Sequence, residues 1–277
     1  MTEEQHTPAS TARRTVYVLG SGLSLCGLTQ AEKQFLAGQI TVAMNKYLLF
    51  WDLIGVFPTH FFLADIHHPA LRVYEESVDI VRRMDKPVHF LLADEFRRFY
   101  GGTALDRILN FPYRLNYYRK TRFWSSSAMM PEHATYFRRC QRWDAPEVWG
   151  KTLQDLMYFY RGSLSVLLNL ITVLKLGDSV KLLGVDLNTS DCFYQDAIQK
   201  RPDLFDDYMK NSLGAAAQHM TAQTFQGMPG IQAKWPFIRE NYQREGVALY
   251  CCNPKSLLVE EGLCPYAPVI DGAENTP

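Results

Sequence analysis

The residue types that could do chemistry sit at the ends of short apolar runs. The stretch VYVLGSGLSLCG, residues 16–27, carries an apolar run into Gly20-Ser21-Gly22. A strand, a glycine turn and a helix in that order present backbone N–H groups to a phosphate. The dinucleotide fingerprint would need a third glycine at position 25, where this chain has Leu25, and no lysine follows to complete a Walker loop. The run QITVAMN ends at Asn45, where a nicotinamide-binding fold would place an acidic residue for the ribose. THFFLAD ends at Asp65, and SVKLLGVDLN ends in Gly184, Asp186 and Asn188. His67-His68 beside Asp65 do not form a metal pattern, because adjacent side chains in an extended segment point apart. Asp206-Asp207 lie in a polar, helix-like stretch and read as a solvated face.

These residues need a frame that brings strand ends together. Apolar runs of strand length alternate with helical spacings such as ALRVYEESVDIVRRM and LSVLLNLITVLKLG, the latter entered through Arg161-Gly162-Ser163. Ser163 reads as an N-cap, Gly177 as a C-cap, and Ser24 as the cap of the helix after the first turn. The expected fold is α/β: a single Rossmann-like three-layer α/β/α domain with a mostly parallel sheet and an inserted lid segment. Ligands on such sheets bind at the carboxyl ends of the strands, so Gly20, Ser21, Gly22, Asn45, Asp65, Asp186, Leu187 and Asn188 should share one crevice, with Ser163 and Gly184 as further candidates for binding the ligand. The aperiodic stretch from about 187 to 229 has the length of an active-site lid. Residues 94–149 show mixed helix and loop signals. The expected boundaries are a disordered leader at 1–14, the domain at 15–260 and a tail at 261–277.

Bulk composition is that of a soluble enzyme. The chain has 277 residues, 47% hydrophobic and 21% charged, with zero formal net charge, so no global field points to nucleic acid. Residues 94–145 are locally basic, with ten Lys/Arg against five Asp/Glu, and rich in aromatics. Segment 114–142 is therefore the expected place for any peripheral contact with membrane headgroups. The six cysteines have no CxxC spacing and read as reduced thiols, which fits a cytoplasmic protein. No apolar run reaches transmembrane length.

Four separated blocks resemble one family, the bacterial sialyltransferases of glycosyltransferase family 42. VLGSGLSL is similar to its G-N-G-P-S-L loop, AMNKY to its second-strand asparagine, and RGSLSVLLNLITVLKLGDSVKLLGVDL to its R-x-T-S-G, helix and G-I-D-F run. ENYQREGVALYCCNPKSLL resembles its last helix, strand and C-P-N-S-L-L turn. The resemblance implies a CMP-activated sialic-acid-like donor, transfer with inversion to a glycan hydroxyl such as one on lipopolysaccharide, and no metal or other cofactor. It also implies frequent oligomers. By the family's spacing Tyr194 would meet the donor phosphate and His219 would be the general base, with Arg161 and Asn188 completing the catalytic set. Ser21, Leu23, Asp65 and Asn188 depart from the family pattern.

Two other functions fit parts of the same pattern. A pterin diphosphokinase-like pyrophosphate transferase shares a related glycine opening and would require Mg²⁺ and ATP. A non-catalytic nucleotide or glycan binder would use the same crevice without turnover, a reading motivated by Ser21 and Asn188.

Overall fold

The computed structural model describes residues 13–64, 68–101, 131–139, 147–201, 204–205 and 218–272. Eight strands among these residues form one sheet in which every pair is parallel: β1 (Thr15–Leu19), β2 (Ile40–Met44), β3 (His60–Leu63), β4 (His89–Ala93), β5 (Ala134–Arg139), β6 (Leu156–Met157), β7 (Ser179–Leu183) and β8 (Ala248–Cys251). The order across the sheet is β6-β5-β4-β3-β2-β1-β7-β8. Strand order therefore reverses between β1 and β7, which makes the gap between their carboxyl ends the topological switch point.

The residues of β1, β2 and β7 are buried consecutively rather than alternately, so both faces of the central sheet are covered. The cover comes from α1 (Gln30–Leu36), α2 (Trp51–Ile54), α3 (His68–Met84), α4 (Asp94–Gly101), α5 (Ser163–Leu174), α6 (Gln195–Gln199), α7 (Trp235–Arg244) and α8 (Leu257–Glu260). This is the Rossmann-like α/β fold expected from the alternating pattern. α5 is buried nearly all round, as its run of leucines requires. α7 tolerates Pro236 because the ring falls in the first turn, where its missing N–H has no intrahelical partner to lose.

Local assignments differ at the helix ends. Ser24 does not cap α1; Thr29 does, in a capping box with Glu32, because Ser24 is held elsewhere. Gly162, not Ser163, is the N-cap of α5, and Lys175 in the left-handed region ends that helix ahead of Gly177. Gly177 is needed for another reason: a Cβ there would lie 2.7 Å from the Arg14 carbonyl oxygen, where the chain enters β7 against β1. The 94–149 region contains β5, whose mostly half-buried Ala134–Arg139 run carries charges that hide its strand character. Asp65, His67, Asp206, Asp207 and most of the basic segment 114–142 lie outside the described residues. No helix among the described residues is long and apolar enough to cross a membrane.

The described part of the 261–277 tail is bound to the sheet. Lys181 is buried within β7, and its ammonium donates to the carbonyls of Pro268 (2.7 Å) and Val269 (3.3 Å) and to Asp271 (2.7 Å). Tyr17 in β1 donates to the same Val269 carbonyl. A buried ammonium must be hydrogen-bonded, and the tail supplies those acceptors.

Within the sheet, His60 and His89 are register partners on β3 and β4 with rings 5.6 Å apart. Burial, then the neighbouring His89, pushes the His60 imidazole down to about 4. The folded state thus binds fewer protons than the unfolded chain between about pH 6.5 and 4. Stability is fully present above the ordinary imidazole range and falls as pH drops through that window, by about 3 kcal/mol in total for this group. His60→Gln is expected to flatten the decline of melting temperature between pH 6.5 and pH 4. An undiminished decline in that variant removes His60 as its cause.

Candidate active site

Two glycine turns interlock at the switch point. The β1–β7 ladder continues past the strands, with Gly20 N–H donating to Leu183 O and Gly22 N–H to Gly184 O, both at 2.8 Å. A Cβ on Gly20 would stand 2.3 Å from the Gly184 carbonyl oxygen, and one on Gly22 would stand 2.3 Å from Asp186 Oδ2. Both glycines exist for this close approach. Gly184 itself has φ +65°, and a side chain there would also strike Leu25.

Asp186 is the knot of the site. It is buried, and its carboxylate accepts from Ser24 N–H (3.0 Å), Ser24 Oγ (2.5 Å) and Asn253 Nδ2 (2.8 Å). Its carbonyl accepts from Leu257 N–H, while Ser256 Oγ donates to the carbonyl of Val185. One carboxylate thereby joins the loops after β1, β7 and β8. It also takes up the donors that a phosphate would seek in a dinucleotide cradle. Gly22 N–H, expected from the sequence to face a ligand, is likewise committed to Gly184.

A solvent-open crevice lies beside this knot. Gly20, Ser21, Gly22, Asn45, Ser163, Gly184, Asp186 and His219 line it, so eight of the residues singled out from the sequence meet in one place. Asn45 takes φ 54°, which asparagine tolerates, and its buried Oδ1 has no partner among the described residues. A buried acceptor of this kind can take a hydrogen bond from a group that enters the crevice. Ser163 and Leu164 present the first turn of α5 to the crevice.

The remaining expected residues point elsewhere. Tyr194 is buried, its ring stacked on Phe50 at 5.1 Å and edge-on to Phe193 at 4.9 Å. Burial raises its hydroxyl well above the ordinary phenol range. Asn188 donates to the Lys255 carbonyl at 2.7 Å, bracing the Asn253–Ser256 turn. Arg161, at φ 58° and buried, donates to the carbonyls of Met220 (2.7 Å) and Gln223 (2.8 Å) and lies over the Phe225 ring. It clamps the loop that carries His219.

His219 reaches the crevice through that clamp and through its own N–H on Leu187 O. Its Nδ1 accepts the Thr221 N–H at 3.2 Å. Burial, then the Lys46 charge, lowers its basicity, and Asp186 partly opposes them. The ring is therefore neutral near pH 7. Leu187, expected beside Asp186, also lines the wall, and Met44, Leu164, Val185, Thr189, Asp191 and Thr221 complete it without a signal in the sequence. Asn253 and Ser256 were visible only as part of a turn, and their long-range partners could not be read from it.

No sequence-family model matches the chain, and no curated protein does. Solved structures do. The sialyltransferase CST-II in complex with CMP superposes with a TM-score of 0.51 at 12% identity, over 92% of this chain and 87% of that one. CstII from Campylobacter jejuni with the substrate analogue CMP-3FNeuAc gives 0.48 at 11% identity, over 93% and 87%. The monofunctional sialyltransferase Cst-I from the same organism gives 0.43 at 10%, over 97% and 85%. The first of these shows a shared fold over nearly the whole chain. The resemblance read from the four sequence blocks therefore holds at the level of the fold.

Proposed function

We propose that this chain is a glycosyltransferase that moves a sialic-acid-like sugar from a CMP-sugar to a glycan hydroxyl, with inversion and without a metal. The observation that carries the reading is the crevice at the switch point, whose glycine turn is filled by Asp186. With the Gly20, Gly22 and Ser24 N–H groups already bonded, a second phosphate would find only part of a cradle there and would meet a carboxylate. A nucleoside monophosphate needs less: one anionic group, which the first turn of α5, Ser163 and the nearby Lys46 charge can stabilise. The fold shared with a CMP-complexed sialyltransferase supports the same donor class.

The residues divide by chemistry. Asn45 Oδ1 accepts a hydrogen bond from a donor-substrate N–H or hydroxyl, and the Ser21 and Ser163 hydroxyls bond its polar edges. Tyr194 acts by packing, on Phe50 and Phe193. Arg161 and Asn188 act at one remove, the first on the His219 loop and the second on the Asn253–Ser256 turn. In an inverting displacement the acceptor oxygen attacks as the phosphate leaves, so a base must take the acceptor proton. The resemblance assigns that proton to His219; the crevice also offers Asp191.

A thermal-shift panel of CMP, CMP-N-acetylneuraminic acid, ATP and NAD, each with and without EDTA, tests the donor class. At a hundredfold excess over Kd, CMP and the CMP-sugar are expected to raise the melting temperature by about 5 °C, with or without EDTA. Stabilisation by ATP only in the presence of Mg²⁺ would support pyrophosphate transfer instead. Stabilisation by the CMP-sugar with no turnover on any acceptor would make the chain a binding protein.

A further inference from the structure

Three titratable side chains line the crevice, and their hydrogen bonds set them apart. Asp186 is committed, since both of its oxygens accept from Ser24 and one also accepts from Asn253. His219 Nδ1 accepts the Thr221 N–H, so a neutral ring carries its proton on Nε2. In that tautomer Nε2 is a donor with no lone pair for an incoming proton. To act as a base there, the ring would have to shift its proton to Nδ1, against the Thr221 N–H. Asp191 is built differently. Its Oδ2 accepts from Thr189 Oγ1 at 2.8 Å, and its own N–H donates to the same hydroxyl at 3.1 Å. This two-residue ring holds the carboxylate in place at the crevice wall, and among the described residues Oδ1 has no partner.

We infer that Asp191 is the general base of the transfer and that His219 serves as a hydrogen-bond donor to the departing phosphate. The assignment rests on reading the site as a CMP-sugar transferase. In the step, Asp191 Oδ1 takes the proton of the acceptor hydroxyl as its oxygen forms a bond to the anomeric carbon. The bond from that carbon to the phosphate oxygen breaks, and its electron pair leaves with CMP. His219 Nε2–H hydrogen-bonds the oxygen on which that charge develops, without transferring its proton. The proton ends on Asp191 and passes to water once the products leave.

The two roles respond differently to a nucleophile that has no proton to lose. CMP release from CMP-N-acetylneuraminic acid, with water as acceptor, is to be measured for the unsubstituted chain, Asp191→Asn and His219→Asn, with and without azide. Asp191→Asn is expected to lose about a thousandfold in rate. It should keep its CMP-induced thermal shift and recover with azide, giving a glycosyl azide detectable by mass. His219→Asn is expected to lose between about tenfold and a hundredfold, with no azide recovery. Asp191→Ala, which removes the carboxylate altogether, should behave like Asp191→Asn. Activity of Asp191→Asn within threefold of the unsubstituted chain overturns the assignment, as does azide recovery in His219→Asn alone. If the unsubstituted chain releases no CMP from any CMP-sugar, the transferase reading itself fails, and the assignment with it.

Discussion

Gly20→Ala is expected to leave little folded protein. The added methyl would stand 2.3 Å from the Gly184 oxygen and 2.9 Å from its carbonyl carbon, both backbone atoms. Neither side can yield cheaply. Gly20 N–H is bonded to Leu183 O, the strands leading into both turns are paired along their whole length, and Gly184 is held at φ +65° against Leu25. Forced separation at the centre of the sheet should cost about 3–5 kcal/mol, a large share of the stability of an ordinary domain. Gly27→Ala is the matched control, because a Cβ there meets nothing within 4 Å. Urea midpoints of the two variants give the comparison. Equal midpoints would mean that the two turns do not approach as closely as described.

Asp186→Ala carries the second large effect. It strips acceptors from Ser24 N–H, Ser24 Oγ and Asn253 Nδ2 at once, all part-buried. Unmet buried donors cost about 1–3 kcal/mol each, and relaxation of the loops recovers part of that, so a net loss of about 3–5 kcal/mol is expected. Asp186→Asn should fall between Ala and the parent. Its amide NH₂ must face either Ser24 N–H or the Asn253 amide, donor against donor. If the chain binds CMP as proposed, both variants should also lose the CMP-induced thermal shift, since the carboxylate aligns three loops around the crevice. A variant that unfolds at the parental midpoint and still responds to CMP would show that Asp186 is not the organising group.

The two variants probe features that differed in how readable they were. The Gly-x-Gly turn was plain in the sequence, and so was the absence of a third glycine. Its purpose was not, because the contact that demands Gly20 and Gly22 comes from residues more than 160 positions later. The same distance hides the fate of Ser24, which reads locally as a cap and is instead drawn to Asp186. Asn45 and Gly184 were readable as strand-end residues because apolar runs announce where parallel strands stop. Asp191 was not, since it lies in an aperiodic stretch with no strand or helix to place it.

By itself the sequence determined the α/β class, the order of strands and helices through the core, and the set of residues that end beside the switch point. These follow from apolar runs and turn residues, which act over a few positions. Tertiary structure alone decided where each of those side chains points. It turned Tyr194 inward onto Phe50, spent Arg161 on the carbonyls of the His219 loop, filled the first turn with a carboxylate and brought Asp191 to the crevice wall. The physical reason is the range of the forces involved. Hydrophobic period selects an element locally, whereas a polar side chain is oriented by whichever donor or acceptor the fold brings within about 3 Å.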